Sequence, residues 1–257
     1  MLPSALDHLQ EIAPPRGSQF AIFADYDGTL TPIVRRPEEA VLSNSTREVL
    51  RALAANVPVG ILSGRDLEEM RQRVDVESIV YAGSHGFDIV GPHGLRKQVG
   101  TEFLPILDAA ENELRQKLTD IHGALLERKR FSIAAHYREV TDENLAQVEQ
   151  AVNEVAAHHR ELRKIAGKKV HELQPDIDWD KGKALLWLLE TMNSEPRKIF
   201  PIYIGDDLTD ENAFRVLERR GVGIVVSEQP RPTAASYALK NPTEVERFLR
   251  KIVARLL

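Results

Sequence analysis

Apolar residues fall along this chain in two rhythms, and the change between them divides it. Phe20 to Ala24, Val57 to Leu62, Ile79 to Ala82, Ile199 to Ile204 and Val222 to Val226 are short, mostly apolar runs. Such runs suit strands covered on both faces of a parallel sheet. Between them the apolar positions take the helical period, as in Val49, Leu50 and Leu53, or Val245, Phe248, Leu249, Ile252 and Leu256. Alternating strands and helices imply parallel strands joined by crossovers. Leu6, Leu9 and Ile12 share one helical face, which predicts an accessory helix ended by Pro14 and Pro15. Caps mark other helix starts: Ser43 to Thr46 before residue 55, Asp66 before Met70, and Asn241, Pro242 and Glu244 at the last helix. A turn at residues 91–94, Gly-Pro-His-Gly, predicts a hairpin.

From about Thr101 the rhythm changes. Leu107, Ala110, Leu114, Leu118 and Ile121 line one long helix. Within the stretch Leu125 to Val140, Phe131, Ile133, Ala135 and Tyr137 alternate with Ser132, Ala134, His136 and Arg138, the period of a sheet with one covered face. A helix capped by Thr141 and a strand over Lys169 to Leu173 follow, and the doubly wound pattern resumes after Pro175 to Asp178. The expected architecture is α/β: a doubly wound, Rossmann-like parallel-sheet core over residues 1–100 and 177–257, interrupted by an α/β cap over 101–176.

The chemistry sits at strand ends. Phe20 to Ala24 runs straight into Asp25 and Asp27, with Gly28 supplying a bend that lets two carboxylates one residue apart take separate places. Ile199 to Ile204 runs into Gly205-Asp-Asp-Leu-Thr-Asp210. Open α/β sheets bind ligands beyond the carboxyl ends of their strands, so Asp25, Asp27, Asp206, Asp207 and Asp210 are expected to meet. Two carboxylates about 4 Å apart repel by on the order of 4 kcal/mol at an effective dielectric near 20. Lys181 alone does not neutralise five of them, whereas Mg²⁺ suits an all-oxygen site. The bland alternative is an acidic helix start, favoured by the helix dipole. Thr141-Asp-Glu-Asn144 repeats Thr209-Asp-Glu-Asn212 without the preceding strand and Gly-Asp-Asp, so the string alone marks only a helix terminus. Ser63 and Gly64 at a strand-to-helix turn, and Lys181, are candidates for holding a phosphate.

Composition removes other classes. A net charge of −5 over 257 residues leaves no electrostatic footprint for nucleic acid or an anionic membrane. With no cysteines there is neither disulfide nor thiolate chemistry. No apolar run approaches the ~20 residues of a membrane span, and no secretory signal is visible. A cytoplasmic monomer is the expectation. The eight histidines show no zinc spacing, and His158 and His159, adjacent on a helix, are expected not to converge. There is no phosphate-binding Gly-rich loop with Lys-Ser or Lys-Thr and no dinucleotide fingerprint, which weakens ATPase and dehydrogenase readings.

Asp25-Tyr-Asp-Gly-Thr-Leu30, Ser63-Gly-Arg65, Lys181-Gly and Gly205-Asp-Asp-Leu-Thr-Asp210 resemble, in order, the four motifs of haloacid dehalogenase-like phosphatases. More narrowly, Tyr81-Ala-Gly-Ser-His-Gly86, Leu126-Glu-Arg-Lys129, His136-Tyr-Arg138, Glu172 and the run Asp206 to Phe214 resemble the trehalose-6-phosphate phosphatase family. The resemblance implies hydrolysis of trehalose 6-phosphate, the last step of trehalose biosynthesis. Asp25 would be the nucleophile forming an aspartyl-phosphate, and Asp27 the general acid and base. Asp25, the Asp27 carbonyl and Asp206 would ligate Mg²⁺, with Asp207 and Asp210 supporting them. Ser63, Gly64 and Lys181 would bind phosphate, and Arg65, Ser84, His85, Gly86, Glu127, Lys129, His136, Arg138 and Glu172 the sugar-phosphate substrate. Two rivals remain: a phosphatase for another sugar phosphate, such as sucrose phosphate or a mannosyl phosphoglycerate, and an acidic phospho-receiver module. The receiver needs neither Asp27 nor a cap.

Overall fold

The computed structural model describes residues 2–34, 36–167, 169–192 and 198–256. The chain divides into two compact units, one of Met1–Lys97 with Trp179–Leu257, the other of Gln98–Asp178.

The first segment of unit 1 carries β1 (Ser18–Ala24), α1 (Asn44–Ala54), β2 (Val59–Leu62), α2 (Leu67–Val74), β3 (Val80–Gly83), β4 (Asp88–Val90) and β5 (Arg96–Gln98). Unit 2 holds α3 (Leu104–Leu118), β6 (Leu125–Lys129), β7 (Ser132–His136), α4 (Leu145–His158), β8 (Leu162–Gly167) and β9 (Val170–Pro175). The chain then returns through α5 (Lys181–Met192), β10 (Lys198–Gly205), α6 (Asp210–Leu217), β11 (Val222–Val226), β12 (Tyr237–Leu239) and α7 (Pro242–Leu256).

The eight strands of unit 1 order as β12-β11-β10-β1-β2-β3-β4-β5. From β12 to β3 every pair is parallel, and β4 turns antiparallel to β3. The β4–β5 hairpin closes with Gly91 N–H donating to Leu95 O at 2.9 Å. Period two explains why β1 is apolar throughout. Phe20, Ile22 and Ala24 enter one core with Leu50 and Leu53 of α1, Met70 of α2 and Phe248 and Ile252 of α7. Ala21 and Phe23 point the other way, into a second core with Leu185 and Leu188 of α5 and Phe214 and Leu217 of α6. Both faces are therefore covered, and β1 runs through the middle. Truncating the fully buried Phe23 to Ala would cost about 3–5 kcal/mol.

Helix starts follow the capping chemistry. Ser43 Oγ accepts from Thr46 N–H at 2.9 Å, Asp66 from Glu68 N–H at 3.0 Å and Asn241 from Glu244 N–H at 3.1 Å. Thr141, expected to cap α4, makes no side-chain cap; the chain first takes a 3-10 turn over Asp142–Asn144. The accessory helix is not present either. Residues 4–12 form separate turns, His8 N–H donating to Ser4 O at 3.3 Å and Ile12 N–H to His8 O at 3.2 Å, while Ser4 bridges to Ala238 and the chain exchanges Ala5 N–H to Ala238 O and Ala238 N–H to Pro3 O, both at 3.0 Å. Leu9 and Ile12 are buried all the same.

In unit 2 the sheet orders as β6-β7-β9-β8, all pairs antiparallel. One face packs Ile133, Ala135 and Leu173 against Leu107, Leu114, Val148 and Val152 of α3 and α4. β7 ends at His136, short of the alternation read through Arg138: Val140 N–H turns back to Tyr137 O at 3.3 Å, placing Arg138 in an exposed turn. Strand β8 is unforeseen by the pattern, since its Arg163 and Lys164 break the apolar run as charged edge strands do.

One feature of unit 1 adjoins both chain crossings. Lys97 Nζ lies 5.4 Å from the ring centre of Trp179 and 5.0 Å from that of Trp187. Trp179 Nε1 donates to Gly86 O at 2.9 Å.

Candidate active site

Asp25 is the first residue beyond β1, and its N–H still joins the ladder, donating to Ile204 O at 2.8 Å. The chain then folds into a compact turn. Leu30 and Thr31 N–H both donate to Tyr26 O, at 2.9 and 3.0 Å, and Gly28 N–H donates to Thr31 O at 2.8 Å. Gly28 takes φ +81, in the left-handed region. The turn separates the two aspartates. Asp25 is buried, while the Asp27 side chain is 41% exposed.

Asp25 shares Lys181 with Asp210. The ammonium lies 2.8 Å from Oδ1 of each carboxylate. Lys181 opens α5, whose first turn is held by Lys183 N–H donating to Asp180 Oδ1 at 3.0 Å. Asp210 opens α6 and is the hub of the loop after β10. It accepts from Tyr203 Oη at 2.7 Å through Oδ1, and from Asp206 and Asp207 N–H at 3.0 and 2.9 Å through Oδ2. Ligand oxygens of Asp25, Asp206 and Asp210 all lie within 4.8 Å of one another. Burial, with the charges of Asp210 and Asp206, pushes the Asp25 carboxyl well above its ordinary range although Lys181 pulls against it. Burial opposes the Lys181 ammonium too, but Asp210 and Asp25 outweigh it and hold its pKa above the usual lysine value. Burial and the same two carboxylates push the Tyr203 phenol up and keep it a donor.

Asp27 faces elsewhere. Arg65 grips it in a fork, Nε to Oδ2 at 2.7 Å and Nη2 to Oδ1 at 2.8 Å. The guanidinium also donates to Pro37 O at 2.8 Å and Glu69 Oε1 at 2.5 Å, and stands 5.3 Å over the Tyr26 ring. Its burial is outweighed by Asp27 and Glu69, which raise its pKa further.

The turns after β2 and β3 interlock. Ser84 N–H donates to Arg65 O at 2.7 Å and His85 N–H to Ser63 O at 2.8 Å, while Ser63 Oγ accepts from Arg65 N–H at 3.2 Å. A Cβ on Gly64 would sit 2.7 Å from the His85 ring. Ser84, His85 and Gly86 are consecutive left-handed residues at φ 47, 58 and 94. Two non-glycine residues in that region cost of order 1–3 kcal/mol each, and such strain clusters at functional loops.

On the polar sheet face of unit 2 the described side chains meet across strands. Glu172 Oε1 lies 3.1 Å from Lys129 Nζ and accepts from Ser132 Oγ at 2.5 Å. His136 Nε2 and Glu127 Oε2 are 2.7 Å apart. Burial would raise the Glu127 carboxyl, but His136 and Lys129 hold it below its ordinary value.

Of the five core aspartates, then, the described side chains bring Asp25, Asp206 and Asp210 together; Asp27 is turned to Arg65, and Asp207 enters through its backbone. Sequence reasoning missed Tyr203, whose only signal is a hydroxyl inside an otherwise aliphatic strand, Ile202-Tyr-Ile204. It also placed His158 and His159 apart. Both rings instead reach Oε2 of Glu113, at 2.9 and 3.2 Å, because α4 ends at His158 and His159 leaves the helix at φ −104, ψ 76.

The donor set of the buried cluster fits Mg²⁺: three carboxylates, all hard oxygen ligands, against one ammonium. The second observation is spatial. A Cβ on Gly28 would lie 2.2 Å from Asp206 Oδ2, so the turn after Asp25 makes room for the Asp206 carboxylate.

Known proteins resemble the chain over most of its length. The trehalose-phosphatase family model matches residues 23–243. A trehalose 6-phosphate phosphatase of Zea mays is 41% identical over 268 residues, spanning 97% of this chain and 74% of that one. Trehalose-phosphate phosphatase B of Arabidopsis thaliana is 41% identical over 265 residues, spanning 98% and 71%. The C-terminal domain of a Candida albicans trehalose-6-phosphate phosphatase superposes with a TM-score of 0.82 at 22% identity, covering 100% of both chains, which speaks to the fold.

Proposed function

Because the chain belongs to the trehalose-phosphatase family, a family of phosphoric monoester hydrolases, we propose that it cleaves trehalose 6-phosphate to trehalose and phosphate through an aspartyl-phosphate on Asp25. The observation that carries the mechanism is the contrast between the two aspartates of one turn, Asp25 buried among charges and Asp27 half-exposed in the Arg65 fork.

Asp25 Oδ attacks phosphorus as the bond from phosphorus to the sugar oxygen breaks, and the Asp27 carboxyl gives its proton to the leaving oxygen. To do so the carboxylate leaves the Arg65 fork and takes up a proton from solvent before it meets the sugar oxygen. The Asp27 carboxylate then takes a proton from water, whose oxygen attacks phosphorus and breaks the bond to Asp25, releasing phosphate and restoring both groups. Mg²⁺ held by Asp25, the Asp27 carbonyl and Asp206 would balance the charge of the phosphoryl group when bound. Asp210 keeps Lys181 and the loop amides in place, and Asp207 supports the site from that loop. Lys181, Ser63 and the Gly64 backbone bind phosphate oxygens, Lys181 by trading a carboxylate for the substrate. Substrate positioning falls to Arg65 and the strained Ser84-His85-Gly86 turn. We assign the sugar to Glu127, Lys129, His136, Arg138 and Glu172 of unit 2, which serves as the cap. The protein acts as a monomer in the cytoplasm under this reading; no described helix is long and apolar enough to cross a membrane.

Phosphate release across trehalose 6-phosphate, sucrose phosphate, mannosyl phosphoglycerate and glucose 6-phosphate, with and without EDTA, tests this. Trehalose 6-phosphate should give the highest kcat/KM, and EDTA should abolish turnover until Mg²⁺ is returned. Preference for another sugar phosphate, or turnover by Asp25→Asn, overturns it.

A further inference from the structure

We propose that Glu113, His158 and His159 of unit 2 form a second metal site, for zinc or a similar late first-row transition ion, chemically unlike the acidic cluster of unit 1. The three side chains come from α3 and from the end of α4, and their ligand atoms all lie within 4.8 Å of one another. His158 offers Nδ1 and His159 Nε2, both turned to the same oxygen, Glu113 Oε2, at 2.9 and 3.2 Å. The rings lie 5.0 Å apart between centres and are tilted by 36°. Adjacent residues on a helix face different ways, so this convergence depends on the helix ending between them.

Zinc binds imidazole nitrogen and carboxylate oxygen at about 2.0–2.2 Å, which sets neighbouring ligands of a tetrahedral ion about 3.3–3.5 Å apart. The two distances to Glu113 Oε2 need to open by only a few tenths of an ångström, and the third spacing, between the two imidazole nitrogens, is within 4.8 Å. Two imidazoles and one carboxylate favour zinc and its neighbours over Mg²⁺, which prefers oxygen. The His158 side chain is 72% exposed, leaving an approach for the ion and a water as fourth ligand. Lys117 is the nearby cation; its Nζ lies 4.0 Å from the other oxygen, Glu113 Oε1, and is committed to Glu154 Oε2 at 2.6 Å. It orients the carboxylate from the far side.

The full chain, saturated with Mg²⁺, would be titrated with Zn²⁺ by calorimetry, and with Co²⁺ by visible absorption. One Zn²⁺ equivalent is expected in the parent protein. His158→Gln and Glu113→Gln should each weaken it at least about tenfold, the scale on which even groups supporting a metal ligand act. Asp206→Asn should leave it unchanged. Circular dichroism and retained phosphatase activity in His158→Gln, an exposed position, separate ligand loss from unfolding. No zinc uptake in the presence of Mg²⁺, or equal uptake by His158→Gln and parent, overturns the proposal and leaves a hydrogen-bonded cluster only.

Discussion

Gly28 and Asp206 compete for one volume: a Cβ on the glycine would stand 2.2 Å from Asp206 Oδ2, 2.4 Å from Cγ and 2.8 Å from Oδ1. The turn after β1 and the loop after β10 are thereby fitted to each other, 178 positions apart in sequence. Gly17 provides the control, with a similar φ of +83 and nothing within 4 Å of its virtual Cβ. Gly17→Ala should cost only the left-handed strain, about 1–2 kcal/mol of stability, and leave kcat intact. Gly28→Ala adds displacement of Asp206 and should lower kcat/KM on the order of a hundredfold or more. Similar activities in the two variants would show that the carboxylate position is immaterial.

Asp27→Asn should harm turnover of trehalose 6-phosphate far more than that of p-nitrophenyl phosphate. A sugar alkoxide needs a proton as it leaves, whereas nitrophenolate leaves without one. Rates on both substrates, compared with the parent enzyme, decide it; equal losses argue against an acid role for Asp27.

Glu172→Ala removes the acceptor of both Lys129 and Ser132. If this face grips sugar hydroxyls, kcat/KM for trehalose 6-phosphate should fall about tenfold or more, each 1.4 kcal/mol of lost transition-state binding being about tenfold. Arg138→Ala should behave alike. Hydrolysis of p-nitrophenyl phosphate should hardly change, since it carries no disaccharide. Parallel losses on both substrates would point to a folding defect.

Tyr81 donates to Val76 O at 2.8 Å and accepts from Val76 N–H at 3.2 Å, and burial pushes its phenol up to about 12. A folded pKa above the unfolded value favours the neutral form in the folded state. The resulting stability is complete below the ordinary value of 10.0 and is lost as the pH rises through about 12. Tyr81→Phe should therefore be less stable than the parent near neutrality, with the gap narrowing across that interval. A constant gap in denaturant titrations at pH 8, 10 and 11 would contradict this.

Much of unit 1 is legible because a strand buried on both faces must be apolar at every position, as Phe20 to Ala24 are. The meeting of Asp25, Asp206 and Asp210 is legible from the same logic, since parallel strands end at one edge. What escapes is what tertiary bonding decides. The pattern of Leu6, Leu9 and Ile12 is helical, yet the segment closes only separate turns beside its pairing with Ala238. The Arg65 fork on Asp27 joins residues 38 positions apart, and nothing local announces it. His158 and His159 read as divergent only while the helix is assumed to continue past them.

The tryptophans Trp179 and Trp187, the two that the chain contains, flank Lys97. Indole emission is thus a probe with a single address, the part of unit 1 from which the chain departs for unit 2 and to which it returns. Unit 2 has no such fluorophore, whereas both units contribute helix and strand to the far-ultraviolet dichroism. Denaturation curves followed by the two signals would coincide for one cooperative transition and part company if unit 2 melts separately, without any label being introduced.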